Sequence, residues 1–362
     1  MKALITPNEY FEKEVFEKEQ SNLFSEIWNF VGFTSDFSEV NDFVVSNISG
    51  IPIVVQNLKG KIHAFKNVCS HRHSLIQTAD KGNRPLMCPY HGWAYNEKGI
   101  PFGIPKKPLF SFTKEEIECL KLEEYKLEIC GNLVFVNLNK EANSLLDFLG
   151  DFYEEVAIIS NNFGKKIDVN EIDIVANWKI VVENTLESYH VALIHANTLY
   201  KMGPEGLNFE FKGNHSSWDA TLNKLENEGR QAKIHKPYQD RNYKINGYKH
   251  ILIYPNLLIS TTYGVSFNLS IIKPNDQNNT NFKSFVFISK NENDENYKDL
   301  ESIFEKSLVD FNRQVFDEDK VICQQVHIGA KFAHHDGELS DEEKRVEHFQ
   351  VVYKSYMNND KK

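Results

Sequence analysis

Cysteine is scarce in this chain: five in 362 residues, at Cys69, Cys88, Cys119, Cys130 and Cys323. An odd, sparse set in a chain of this length excludes a disulfide-stapled scaffold and points to a reducing compartment, with the cytoplasm as the expected location. No run of 18 apolar residues exists, so no membrane-spanning helix is expected. The opening stretch MKALITPNEYFEKEVFEKEQ holds no apolar h-region, so no signal peptide is expected. Positive charge is short as well. Lys and Arg number 41 against 51 Asp and Glu, a net charge of −10, which is a poor match for nucleic acid. No flavin or nicotinamide fingerprint is found, nor any repeat or low-complexity tract.

What is present is ordinary for a globular protein: 41% hydrophobic and 25% charged residues, with 26 Phe and 15 Tyr to build large cores or apolar pockets. The length exceeds what one core needs, so two domains are expected. Residues 8–30 recur apolar at helical spacing and predict one or two amphipathic helices. From about 31 to 138, short β-branched and aromatic runs punctuated by Gly, Asn and Pro predict antiparallel strands. LEICGNLVFVNL reads as two strands about a Gly131-Asn132 turn. A strand then ends near Ala176, and Asn177 is a good N-cap for a helix that follows. More strands are expected over 205–290, a long helix over 298–327 and a last amphipathic stretch over 341–357. The expected class is α+β, an antiparallel β domain followed by an α+β domain.

Two clusters of side chains carry chemistry. The first is VCSHRHSLIQTADKGNRPLMCPYHGWAY. Cys69-x-His71, sixteen residues, then Cys88-x-x-His91 puts one thiol and one imidazole on each of two tight loops. Such ligands suit zinc or iron–sulfur. Zinc fingers place both cysteines in one pair and both histidines in the other. Here each pair is mixed, which allows each loop to reach both irons of a cluster with two cysteines on one iron and two histidines on the other.

The second is NWKIVVENTLESYHVALIH. Read alone, Glu183, Glu187, His190 and His195 are either a metal site or the polar stripe of a surface helix. His190 and His195 are five apart, which on a regular helix points them away from each other. Both reach one metal only if the helix ends, bends or bulges near His195.

CSHRH…CPYHGWAY, with Gly92 and Trp93 after the second histidine, resembles the Rieske cluster-binding motif. The later segment resembles the mononuclear iron motif of the Rieske non-haem iron oxygenases. The resemblance spans nearly the whole chain, with both motifs in the family's order. It implies a [2Fe–2S] cluster on Cys69, His71, Cys88 and His91, with His73 in a structural role. It implies a mononuclear Fe(II) on His190, His195 and a distant carboxylate on the C-terminal helix. In QVFDEDKVICQQVHIG, Asp319 fits best and Asp317 is the runner-up, although Asp317, Glu318 and Asp319 together could form a solvated face.

The resemblance further implies an N-terminal helical segment over 1–30 packing on the catalytic domain. A Rieske domain over 31–140 and a catalytic domain over 141–362 would follow, the latter of helix-grip type with an antiparallel sheet and a long C-terminal helix. It implies an oxygenase that uses O2 to hydroxylate or oxidatively demethylate a small molecule, with cis-dihydroxylation of an aromatic ring as the alternative. Electrons would come from NAD(P)H through a partner reductase or ferredoxin. The family works as a ring of subunits, commonly a homotrimer. There Glu187 would bridge His190 and the neighbouring subunit's cluster through its His91. Family members usually carry Asp at that position, and Glu is similar to the quaternary-ammonium oxygenases. Asn177 would lie near the iron; Glu183 either supports the site from behind, the favoured reading, or is exposed. Pocket residues are expected from 200–290, Trp218 among the aromatics there.

Overall fold

The computed structural model describes residues 1–222, 243–290 and 298–358. The chain divides into two compact units, Lys18–Phe148 and Met1–Glu17 with Leu149–Lys362. The sequence reading drew these divisions after residues 30 and 140. Residues 18–30 belong with the first unit because strand Asn29–Phe33 pairs with Leu133–Asn137. Trp28 is buried, and its indole N–H donates to the Asn143 carbonyl at 3.0 Å.

The first unit holds strands β1 (Asn29–Phe33), β2 (Asp42–Ile48), β3 (Ile51–Leu58), β4 (Lys61–Lys66), β5 (Lys81–Asn83), β6 (Ala94–Tyr95), β7 (Pro101–Gly103), β8 (Glu124–Cys130) and β9 (Leu133–Asn137). Seven of them form an antiparallel sheet in the order β1-β9-β8-β4-β3-β2-β5, while β6 pairs with β7. The expected turn at Gly131-Asn132 joins β8 to β9, with Gly131 at φ 55°. Strand β3 is apolar from Ile51 to Val55 and buried from Ile53 onward, Gln56 and Asn57 included, because both its faces are covered. Val54 enters one core with Phe65, Cys69, Cys88 and Trp93, whereas Ile53 and Val55 enter another with Val134 and Val136.

The second unit is α+β. Its sheet runs β10 (Phe163–Ile174), β16 (Thr280–Ser289), β15 (Ser266–Pro274), β14 (Leu257–Thr262), β13 (Tyr248–Ile253), β12 (His215–Leu222) and β11 (Pro204–Lys212), antiparallel between the neighbours. Of the 200–290 stretch expected to supply the pocket, 223–242 lie outside the described residues. A long helix, Lys298–Ala330, packs against β10 and against the helix Trp178–Thr185. Its inward stripe falls at Phe304, Leu308, Phe311, Val315, Asp319, Cys323 and His327, three or four apart as one helix face demands. Phe304, Val315, Cys323 and His327 on it are buried. A last helix, Lys344–Met357, buries Arg345, Phe349 and Tyr353. No described helix is long and apolar enough to cross a membrane.

Candidate metal centres

In the first unit two tight loops bring the sulfur and nitrogen donors together. The His73 N–H returns to the Cys69 carbonyl at 3.0 Å, and the Gly92 N–H to the Cys88 carbonyl at 3.0 Å. Gly92 takes φ +72°, and a Cβ there would sit 3.3 Å from Pro105, so the second loop needs glycine. Cys69 and Cys88 are both buried. The rings of His71 and His91 lie 4.6 Å apart, and His71 stacks on Trp93. The Tyr95 hydroxyl reaches Cys69 Sγ at 3.1 Å and also accepts from the Ser70 N–H at 3.0 Å. Burial raises the Cys69 thiol above its ordinary range, with Cys88 adding to the effect against the Tyr95 and His71 donors. His71 Nδ1 is buried without a hydrogen-bond partner. A buried thiol pair beside an orphaned imidazole nitrogen fits a metal cluster, since a cation supplies the charge that burial denies the thiolates. His73 is exposed and stands apart in the left-handed region, at φ 62°.

In the second unit the chain after Asn177 breaks where the histidine spacing requires. The helix Trp178–Thr185 ends, a turn follows, and a one-turn helix Val191–Ile194 sits between His190 at its start and His195 at its end. The two rings come to 5.1 Å. His195 Nε2 lies 3.0 Å from Asp319 Oδ1, and His190 Nε2 lies 3.7 Å from the same oxygen. These three residues offer donor atoms all within 4.8 Å of one another, the one such group found among the described residues.

Each imidazole is held from behind by a carboxylate. His190 Nδ1 bonds Glu187 Oε1, and His195 Nδ1 bonds Glu318 Oε2 at 2.7 Å. A bond at Nδ1 fixes the tautomer and leaves Nε2 for the common point. Burial pulls the His195 imidazole down, but Asp319 and Glu318 more than offset it, and its pKa is raised. Glu318 is lowered despite burial, because His195, Thr198 and Gln314 all bond it. The two carboxylates thus favour a positive charge at this imidazole, the kind of charge that a metal ion at the common point would supply.

Sequence reasoning missed three contributors. Glu318 was read only as part of an acidic run. Asn184 donates to Asp319 Oδ1 at 2.8 Å, and Thr198 donates to Glu318 at 2.7 Å. The helix stripe was a signal for the carboxylate: Asp319 lies on the line Val315–Asp319–Cys323, while Asp317 falls off it and is exposed.

Asn177 is not brought to this cluster. It caps its helix, Oδ1 accepting from the Lys179 N–H at 3.0 Å and Nδ2 donating to the Gln277 carbonyl at 2.9 Å. Both ends of its amide are thus spent on backbone, which corrects its expected place at the iron. Glu183 likewise faces elsewhere, accepting from Tyr10 at 2.8 Å and from Gln350 at 2.8 Å. Burial raises its carboxyl to about 7, against those two donors and Lys179.

A cavity of about 500 Å³ opens at the His190–His195–Asp319 cluster, lined among others by Phe267, Phe282, Phe304, Trp218 and His250. A small β unit with a mixed Cys–His cluster, and an α+β unit with two histidines and one carboxylate on a cavity, together define the architecture of a Rieske-type non-haem iron protein. Residues 165–359 match the family model for the ring hydroxylating alpha subunit, catalytic domain, and residues 27–116 match the Rieske [2Fe-2S] domain. The chain belongs to the ring hydroxylating alpha subunit family.

Among curated relatives it is 33% identical over 192 residues to the 2-aminobenzenesulfonate 2,3-dioxygenase subunit alpha of Alcaligenes sp., covering 52% of this chain and 49% of that one. It is 32% identical over 197 residues to the carnitine monooxygenase oxygenase subunit of Acinetobacter pittii (strain PHEA-2), covering 51% of each. The chain thus spans about half the length of these curated relatives. In fold it is similar to the quaternary ammonium Rieske monooxygenase CntA in complex with L-carnitine, with a TM-score of 0.80 and 20% identity over 98% of this chain and 95% of that one.

Proposed function

We propose that this chain is the oxygenase component of a multicomponent system. It uses O2 and electrons from a partner reductase or ferredoxin, ultimately from NAD(P)H, to hydroxylate or oxidatively demethylate a small organic molecule. One observation carries this reading: His190, His195 and Asp319 converge on one point in the wall of an apolar-lined cavity. Two histidines and a carboxylate on one side are the donor set of O2-activating ferrous sites. Iron held there would supply open positions for dioxygen chemistry, and a cluster held by Cys69, His71, Cys88 and His91 would supply single electrons.

The chain's own residues do the rest. Glu187 and Glu318 hold the imidazoles in the tautomer that presents Nε2. Asn184 restrains Asp319 by bonding the oxygen that faces both histidines. The apolar wall excludes bulk water from the reacting carbon. Glu187 bonds His190 Nδ1 through Oε1, while its Oε2 accepts from the Tyr189 and His190 N–H groups; in a homotrimer the same carboxylate would bridge to the His91 of a neighbouring copy. Glu where the family usually has Asp supports a small polar substrate of the kind the quaternary-ammonium oxygenases take, and the matched relatives include both a carnitine monooxygenase and a 2-aminobenzenesulfonate dioxygenase.

The test has two parts. Metal and acid-labile sulfide analysis should find roughly three irons per chain, two in the cluster and one mononuclear. Turnover with labelled O2 should place one labelled atom in the organic product. Two labelled atoms in one product exclude monooxygenation, and a colourless zinc protein excludes the whole reading.

A further inference from the structure

At the cavity wall formed by strands β12 and β13, Trp218 faces His250 directly across the ladder. Both line the cavity, as does Tyr248. Behind His250, on the last helix, lies Arg345 with no exposed surface. None of the described residues forms an ion pair with it. Its guanidinium donates from Nε to Ser216 Oγ at 3.1 Å, from Nη2 to the Ser216 carbonyl at 3.2 Å and from Nη1 to His250 Nδ1 at 3.1 Å. A guanidinium cannot accept a hydrogen bond, so His250 Nδ1 must be the acceptor. The ring is therefore neutral with its proton on Nε2. Burial and the Arg345 charge together hold the His250 pKa well below the ordinary imidazole range, which favours the neutral ring. Burial likewise lowers Arg345 to about 9, the mark of a cation short of compensation.

Two donors at this end thus lack partners. His250 Nε2–H has none among the described residues. Trp218 Nε1–H is buried with none, in a side chain whose residue is only 9% exposed. The charged side chains among the described lining residues are Glu187 and Asp319, both at the histidine cluster. The lining is divided in charge: its acids stand at the histidine cluster, and the neutral His250 N–H, backed by a buried cation, stands on the β12–β13 wall.

Resting on the oxygenase reading above, the geometry points to an organic acid as substrate. Its carboxylate or sulfonate lodges at the His250–Trp218 end, and the carbon to be oxidised lies toward His190, His195 and Asp319. His250 is the positioning residue, its donor direction set by Arg345. A quaternary ammonium group is admitted only where the molecule also carries an acid for this end. Glu187, similar at its position to the quaternary-ammonium oxygenases, points by itself to a small polar substrate; the guanidinium buried behind His250 assigns the recognition to an anion.

The test is calorimetric binding to the intact, iron-loaded protein with four probes of similar size: benzoate, benzenesulfonate, benzyl alcohol and benzyltrimethylammonium. Either acid should bind at least about tenfold tighter than the alcohol, and the ammonium probe weakest. His250→Phe, which keeps a ring but removes the donor, should lose about tenfold for benzoate and leave benzyl alcohol within about twofold. His250→Gln, which restores an N–H, should recover most of the loss. Circular dichroism checks that each variant is folded, and Trp218→Phe gives a second reading if His250→Phe is not. The proposal is overturned if neither acid binds, if the alcohol or the ammonium probe binds as tightly as benzoate, or if the ring-only variants keep the preference. Binding is read without turnover. A protein that carries its irons yet shows no acid preference refutes this inference alone, whereas one without the mononuclear iron refutes the oxygenase reading.

Discussion

Cys69, His71, Cys88 and His91 lie within one short stretch, on two loops of a single β unit. Asp319 comes 124 positions after His195, and the two meet only because the long helix packs against the helix that precedes the histidines. The first centre is set by local turns: one returns to Cys69 and the other to Cys88, and Gly92 supplies the conformation the second requires. The second is set by a helix face, a helix break and tertiary packing. Centres built locally are expected to tolerate distant change, while centres assembled across the fold depend on residues that never touch the metal.

The sharpest way to break this comparison is to remove one donor from each centre. His195→Ala should drop iron from roughly three to roughly two per chain, abolish turnover and leave the visible cluster absorption intact. Cys88→Ser should do the reverse, removing the cluster colour while the mononuclear iron remains. Loss of both from either change would show that the centres are not independent. Next in size is Glu187→Gln. Metal content should be unchanged while turnover falls on the order of 100-fold, because the hydrogen-bond path at His190 is damaged without loss of a donor. Full turnover with stoichiometric electron uptake would refute the bridging role.

The third change tests support from behind. Glu318→Gln should weaken iron binding at the second centre by about 10- to 100-fold, as loss of an imidazole-orienting carboxylate does. Asp317→Asn, one position before it and exposed, should change nothing measurable in equilibrium dialysis. Equal effects from the two would mean that the acidic run acts only through its summed charge.

Glu183 gives a pH dependence with a definite sign. Its carboxyl is raised to about 7 in the fold, so the folded state binds a proton that the unfolded chain releases near the ordinary glutamate value. The stabilisation is fully present below that value and lost as pH rises through about 7, amounting to ~3 kcal/mol. Glu183→Gln should flatten that slope in denaturant titrations from pH 4.5 to 8, and an unchanged slope would place the proton elsewhere. Smallest is Asn177→Ala, which removes a helix cap and should cost about 1 kcal/mol while leaving iron content unchanged. A loss of iron would return Asn177 to the metal centre.

How much could be read beforehand follows the same division. The loop motif at 69–91 was legible because its spacing encodes its geometry. The break between His190 and His195 was legible as a necessity, since five residues do not fit one helix face. Asp319 was implied by the family resemblance, with Asp317 as runner-up; the apolar stripe of the helix, followed past Val315, separates the two. Glu318 was not legible: on a helix, a residue one step off the inward line looks solvated until a partner such as His195 is packed over it. Asn177 misled because a good N-cap and a site residue have the same chemistry, and only its bonds to Lys179 and Gln277 decide between them.

The sequence by itself determined the two-unit plan, the mixed Cys–His cluster and the pair of histidines, because turns and helix periods are local properties of the chain. Tertiary structure alone decided which acids stand behind each imidazole, which asparagine touches Asp319 and where a guanidinium is buried with no ion pair among the described residues. Those facts depend on which faces of distant elements meet. Packing, by excluding water, turns otherwise ordinary side chains such as Glu318, His250 and Arg345 into groups with a fixed charge and a fixed direction.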